Sequence, residues 1–119
     1  MFEELINIET AKLAKEKGFD EACRDFHGTW DGYDGVHKMD NYNRHNTSKQ
    51  FSAPTQGLLQ KWLREVKSID VEARGCRYAG DMTTSYYQPY ANGAVVNLKQ
   101  YKTYEEALET GLIASLKLI

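Results

Sequence analysis

The sequence lacks several features that mark well-defined classes of protein. No apolar run of about 18 residues occurs, so no helix able to span a membrane is expected. Neither charge dominates: 15 lysines and arginines stand against 17 aspartates and glutamates, a formal net charge of −2, which excludes a strongly basic nucleic-acid-binding protein. No internal repeat with a period of about 20–50 residues is present, which excludes a solenoid.

Cysteine is also scarce, with Cys23 and Cys76 as its two occurrences. Neither is part of a CxxC or Cys–His spacing, so the sequence supports no zinc site and no redox pair. The segment 1–9 carries acidic residues in place of the basic and apolar regions of a secretory signal. We therefore expect a cytoplasmic protein whose two thiols are free and buried or half-buried; a single Cys23–Cys76 disulfide is the alternative.

Motifs for catalysis and cofactor binding are missing as well. His27, His37 and His45 lie among aspartates, but without HExxH or a similar metal-binding spacing. The serines lack a GxSxG setting, and the glycines of segment 28–35 neither follow an apolar strand nor open a helix. We predict that the protein is not an enzyme and has no metal or cofactor; a metal-dependent hydrolase built around the three histidines is the weakest alternative.

The 119 residues suit a single domain, residues 1–119, which begins with a helix. Asn7 is a favourable N-cap, and Gly18 ends the helix near Lys17. Phe19 follows the glycine, at a position that commonly contacts the last turn. The inward side of this helix is predicted to carry Thr10, Ala11, Leu13 and Ala14.

Segment 20–51 is rich in Gly, Asp, Asn and His, and it is the least predictable part of the chain. The turn-forming residues of 28–35 could join two short strands, near 23–27 and 36–42, as an extra loose hairpin. From 41 to 52 the composition predicts a surface loop.

The second half has clearer periodicity. A helix is predicted to start at 52–54, because Ser52 can cap it and an early proline loses no hydrogen bond. Apolar residues then recur at helical spacing, namely Leu58, Leu59, Trp62, Leu63 and Val66. After Ser68 the period changes to two, and one side of a predicted strand carries Ile69, Val71 and Ala73.

A three-strand antiparallel meander and a last helix follow. Segment 83–90 favours a strand, Asn92-Gly93 favours a type I′ turn, and Pro89 indicates a distortion between them. The returning strand is predicted from Val95, Val96 and Leu98.

The last helix begins with a capping box of Thr103 and Glu106. Gly111 on its inner face allows a strand or helix to approach closely. The other inner residues are Tyr104, Ala107, Leu108, Leu112, Ser115, Leu116 and Ile119. The whole pattern predicts an α+β fold, with about three helices packed on a small antiparallel sheet.

Aromatic and basic residues are the candidates for binding. Lys61 and Arg64, with the sheet tyrosines, are typical of surfaces that steer and stack single-stranded nucleic acid, although RRM signatures are absent. Trp30, in a glycine-rich turn, is a candidate interaction hot spot. The complete set of predicted binding residues is Trp30, Tyr33, Tyr42, Lys61, Arg64, Tyr86, Tyr87 and Tyr90.

Three segments together resemble a group of small uncharacterised proteins of bacterial prophages and mobile elements: IETAKLAKEKGFDE (8–21), SAPTQGLLQKWLREVKSIDVEA (52–73) and YKTYEEALETGLIASLKLI (101–119). The resemblance implies an intracellular accessory protein, and it carries over no catalytic or binding residue. We predict a small non-catalytic protein-interaction module with an unknown protein partner and no contact with a membrane. A nucleic-acid-binding accessory protein is the alternative.

Overall fold

The computed structural model describes residues 4–21, 26–28, 50–77 and 86–119; of residues 26–28 and Gln50 it describes the backbone. The chain divides into two compact units, Met1–Thr55 and Gln56–Ile119. Each unit has its own helical and β elements. The single domain expected from the length stays a prediction.

In the first unit, helix α1 (Ile8–Glu16) begins and ends as predicted. The Asn7 side chain accepts a hydrogen bond of 2.9 Å from the backbone N–H of Thr10. At the other end, Gly18 has a φ of +95°. The N–H groups of Gly18 and Phe19 then donate to the carbonyls of Lys15 (3.2 Å) and Ala14 (2.9 Å), which is the Schellman arrangement. Phe19 is buried, as expected.

The β elements of the first unit differ from the expectation for this region. Strand β1 (Phe26–Gly28) pairs antiparallel with β2 (Gln50–Ser52), a stretch predicted as loop and helix start. The predicted partner segment, 36–42, lies outside the described residues. Proline restricts the residue before it to extended conformations, so Pro54 favours a strand-like path for Ala53. The Pro54 carbonyl accordingly accepts from the N–H of Ile6 (3.1 Å).

In the second unit, helix α2 (Gln56–Val66) starts later than predicted and buries Leu59, Trp62 and Leu63. The prediction for Val66 is wrong, since this side chain is 56% exposed. The chain leaves the helix there and turns at Ser68, which has a φ of +58°. The N–H of Ile69 bonds to the Leu63 carbonyl (3.0 Å), and Ile69 is buried, as predicted.

The sheet of the second unit has the antiparallel order β3 (Val71–Cys76), β4 (Tyr86–Ala91) and β5 (Ala94–Val95). Positive φ values at Asn92 (+51°) and Gly93 (+82°) confirm the type I′ turn. Strand β5 is shorter than predicted, and Leu98 is 80% exposed. Pro89 has no N–H, so it cannot donate a backbone hydrogen bond next to β5. Pairing on this side of β4 resumes at Tyr87, which exchanges two backbone bonds with Tyr101 (2.8 and 3.0 Å).

Helix α3 (Tyr104–Lys117) has the predicted cap, because Thr103 Oγ1 accepts from the N–H of Glu106 (3.1 Å). The buried face matches the prediction apart from Tyr104, which is exposed, and Ile119, which is half-buried. A Cβ atom at Gly111 would lie 2.9 Å from Val71 Cγ1 and 3.5 Å from Pro89 Cβ. The glycine therefore brings α3 against β3 and β4.

The predicted α+β class is confirmed by the described elements, which are three helices, a three-stranded antiparallel sheet and a two-stranded pair. In the part of the chain that the structure describes, no helix is both long enough and apolar enough to cross a membrane.

Candidate functional site

The two faces of the three-stranded sheet separate by residue alternation. Val71 and Pro89 face α3, as their distances from Gly111 show. Their neighbours along each strand therefore lie on the opposite side, which we call the open face. In register across β3 and β4, the open face carries the pairs Glu72–Tyr90, Arg74–Gln88 and Cys76–Tyr86.

Arg74 is the centre of the open face. Its Nε and Nη2 atoms donate to Glu72 Oε1 at 2.8 and 2.6 Å. Its guanidinium carbon lies 4.1 Å from the centroid of the Tyr90 ring, within the range of a cation–π contact. The hydrogen bonds to Glu72 raise the pKa of Arg74 above its already high ordinary value, so the group stays cationic.

The Glu72–Arg74 ion pair is well exposed to solvent, with 48% of the Arg74 side chain and 41% of the Glu72 side chain accessible. An exposed ion pair contributes little to stability because water screens it. The pair instead orients the Arg74 side chain, because the guanidinium contacts the Glu72 carboxylate on one side and the Tyr90 ring on another.

Cys76 and Gln88 extend the open face. Cys76 is a half-buried free thiol, as expected, and its Sγ lies 3.7 Å from Gln88 Oε1. Cys23 lies outside the described residues. In the described ranges, no group of three His, Cys, Asp or Glu side chains is arranged to hold a metal ion.

The structure divides the three predicted sheet tyrosines between the two faces. Tyr86 and Tyr90 lie on the open face. Tyr87 lies on the packed face, where its ring meets that of Tyr104 edge to face, at 6.1 Å and 89°. A surface that uses all three tyrosines at once is therefore excluded by the alternation of the strand.

The other predicted binding residues are dispersed. Lys61 and Arg64 are exposed on α2, a different element from the strand that carries Tyr86 and Tyr90. Trp30, Tyr33 and Tyr42 lie outside the described residues, as do His37 and His45. His27 belongs to β1, of which the backbone alone is described.

Glu72 was not among the predicted site residues, and Arg74 was not singled out from the other basic residues. Their signal in the sequence is an acid and a base two positions apart on a predicted strand, a spacing that places both on one face. The missing information was the register that sets Glu72 opposite Tyr90. Register depends on strand pairing and cannot be read from β3 alone.

Comparisons with protein-family models, with curated proteins and with solved structures find no match to this chain. The resemblance to prophage and mobile-element proteins therefore stays a prediction. The geometry of the open face is the basis for assigning a function.

Proposed function

We propose that the protein is a small non-catalytic protein-interaction module and that the open face of its three-stranded sheet is the binding surface. The observation that supports this proposal is the contact between Arg74 and Tyr90, in which Glu72 holds the Arg74 side chain. Arginine and tyrosine are enriched among the residues that dominate binding energy at protein interfaces. Side chains that are already ordered also lose less entropy when a partner binds.

The same contact favours a protein partner over a nucleic acid. A stacked base needs a free aromatic face and cations that attract phosphate. In this structure Arg74 covers one face of the Tyr90 ring, and the Glu72 carboxylate lies against the cation. Nucleic-acid binding remains the second candidate because Lys61 and Arg64 are both exposed on α2.

The proposed setting is the cytoplasm, in an accessory protein carried by a prophage or another mobile element. The resemblance of segments 8–21, 52–73 and 101–119 supports this origin. The free thiol of Cys76 is in keeping with a reducing compartment.

Affinity purification with the full chain tests the proposal. Nuclease-treated lysate is passed over the wild type, over Tyr90→Ala and over a control, Leu118→Ala, which removes an exposed apolar side chain after α3. We expect a protein partner that the wild type and Leu118→Ala retain, and at least about a ten-fold loss with Tyr90→Ala. Equal recovery with all three would show that the open face is not the binding surface.

Titration with labelled single-stranded DNA and RNA of about 20 nucleotides, at about 50 mM salt, tests the second candidate. Absence of binding under these conditions rejects it. Binding that is lost with Lys61→Ala plus Arg64→Ala, and that weakens as salt rises, would replace the protein-interaction proposal.

A further inference from the structure

The hydrogen bonds of β4 show which of its backbone N–H and C=O groups point toward β3 and which point away from it. Tyr87 exchanges two backbone bonds with Tyr101, and the Pro89 carbonyl accepts from the N–H of Val96 (2.8 Å). The polar groups of these residues therefore point away from β3. Backbone polar groups alternate in direction along a strand, so those of Tyr86, Gln88 and Tyr90 point toward β3.

The register then orients the backbone of β3. Glu72, Arg74 and Cys76 are opposite Tyr90, Gln88 and Tyr86, so they form the ladder with β4. The backbone N–H and C=O groups of the alternate residues, Val71, Ala73 and Gly75, therefore point to the outer edge of the sheet. This direction is confirmed at Val71, whose carbonyl accepts a bond from Gln60 Nε2 (2.5 Å) instead of from β4.

Beyond Val71, the outward backbone groups of β3 are those of Ala73 and Gly75. Among the described residues of the second unit, no group bonds to the outward N–H or C=O of either residue. Gly75 and Arg77 are exposed. These four backbone groups therefore have no hydrogen-bond partner in the described part of the second unit.

Open edges are usually protected, because they attract unwanted strands. The opposite edge of this sheet is formed by β5, which is two residues long. Strand β3 is six residues long and contains no proline. An unprotected edge on the longer strand is the pattern of sheets that accept a peptide by strand addition.

The surroundings of this edge are basic. Arg77 follows β3 directly and is exposed. On α2, the exposed Lys61 is adjacent to Gln60, whose side chain bonds to the edge at Val71. The bonds of Gln60 to Val71 and of Ile69 to Leu63 show that α2 runs antiparallel to β3, so Arg64 lies toward the start of the strand, where Asp70 is also exposed. The acid of the strand, Glu72, is already paired with Arg74. A strand that binds here therefore meets positive charge.

We propose that the outer edge of β3 binds an extended acidic segment of a protein partner as an additional strand. Ala73 and Gly75 supply the main-chain bonds, and carboxylates of the segment lie near Arg77 and Lys61. The inference rests on the proposed protein-interaction function.

A displayed library of random peptides of about 12 residues is the probe for this edge, with the full chain as bait. We expect selected peptides that are acidic and rich in β-branched residues. Their affinity should fall as salt rises, and Arg77→Gln should weaken binding about three-fold. Absence of enrichment, or enrichment of basic peptides, would overturn the proposal.

Two variants at one position separate the edge from the rest of the surface. Gly75→Pro removes the outward N–H and leaves the ladder bonds to β4, which come from Arg74 and Cys76. Gly75→Ala adds a Cβ but keeps the N–H. We expect Gly75→Pro to lower the affinity for a selected peptide at least about ten-fold and Gly75→Ala to lower it less than about three-fold.

Amide hydrogen exchange of the wild-type complex gives a direct measurement that does not depend on variants. Bound peptide should slow exchange of the Ala73 and Gly75 amides and leave that of Ala94 in β5 unchanged. A peptide that binds without protecting Ala73 and Gly75 contradicts the inference. Protection that grows with protein concentration in the absence of peptide would identify a second copy as the occupant instead.

The outcomes also separate this inference from the function on which it rests. Loss of peptide binding with Tyr90→Ala, but not with Gly75→Pro, overturns the edge proposal and leaves the open face as the interaction surface. If neither variant changes the binding of any selected peptide or of a captured partner, both proposals fail.

Discussion

The two faces of the three-stranded sheet are built from alternate residues of the same strands, yet they have opposite properties. On the packed face, Val71 is fully buried and a Cβ at Gly111 would come within 2.9 Å of it. On the open face, Glu72 and Arg74 are both well exposed and are ordered by an ion pair and an aromatic ring. The packed face therefore contributes buried apolar contacts to folding, and the open face presents exposed polar groups.

The largest expected effect comes from one substitution made on each face. Val71→Ala removes two buried methyl groups and should lower the free energy of unfolding by about 2.5 kcal/mol. Val95→Ala, opposite Tyr90 on the open face, removes a side chain that is 39% exposed and should change it by less than about 0.5 kcal/mol. Urea unfolding of both variants measures the difference. Equal losses would mean that the faces are not distinct.

A smaller effect is expected at the helix glycine. Gly111→Ala improves helix propensity by about 1 kcal/mol, but its Cβ conflicts with Val71, so we expect a net loss of about 1 kcal/mol. Gly57→Ala, at an exposed position of α2, is the matched control and should be neutral or stabilising.

A double variant identifies the cause of the Gly111 effect. In a Val71→Ala background the conflicting Cγ1 atom is absent, and Gly111→Ala should then be less destabilising than in the wild type. Strict additivity of the two losses would show that close contact with Val71 is not the reason for the glycine.

The tyrosines of β4 allow the two faces to be compared by their coupling to Tyr104, and the expected energy is similar to that at Gly111. Tyr87 and Tyr104 meet edge to face, so a double-mutant cycle with leucine at both positions should give a coupling energy of about 1 kcal/mol. The same cycle for Tyr90 and Tyr104, which involves both faces, should be additive within about 0.5 kcal/mol. Coupling in the second cycle would contradict the assignment of Tyr90 to the open face.

The features that the sequence predicted correctly are those set by neighbouring residues. The caps at Asn7 and Thr103 and the turn at Asn92-Gly93 each depend on a few consecutive side chains. The buried stripe of α3 follows from helical periodicity. The close approach at Gly111 was also predictable, because glycine is unfavourable within a helix and its small size on an apolar stripe indicates close packing against another element.

The features that could not be predicted depend on residues distant in the sequence. Strand β2 exists through its pairing with β1, more than twenty positions earlier, and its composition resembles a loop. Val66 fits the helical stripe, but α2 ends at this residue and the chain turns at Ser68, so the Val66 side chain is exposed. The open face likewise needs the register of β3 with β4 before Glu72, Arg74 and Tyr90 form one group.

The smallest expected change in stability is at the centre of the open face. Glu72→Gln removes the charge that holds Arg74, yet the pair is so exposed that urea unfolding should show no measurable difference at low or high salt. Arg74 itself should become mobile, and nitrogen relaxation at its Nε should detect this because the 2.8 Å bond to Glu72 is weakened. If Glu72→Gln destabilised the fold as strongly as Val71→Ala, the open face would be part of the folding core. An unchanged stability together with a mobile Arg74 would show that the pair serves orientation, which is the property that a binding surface requires.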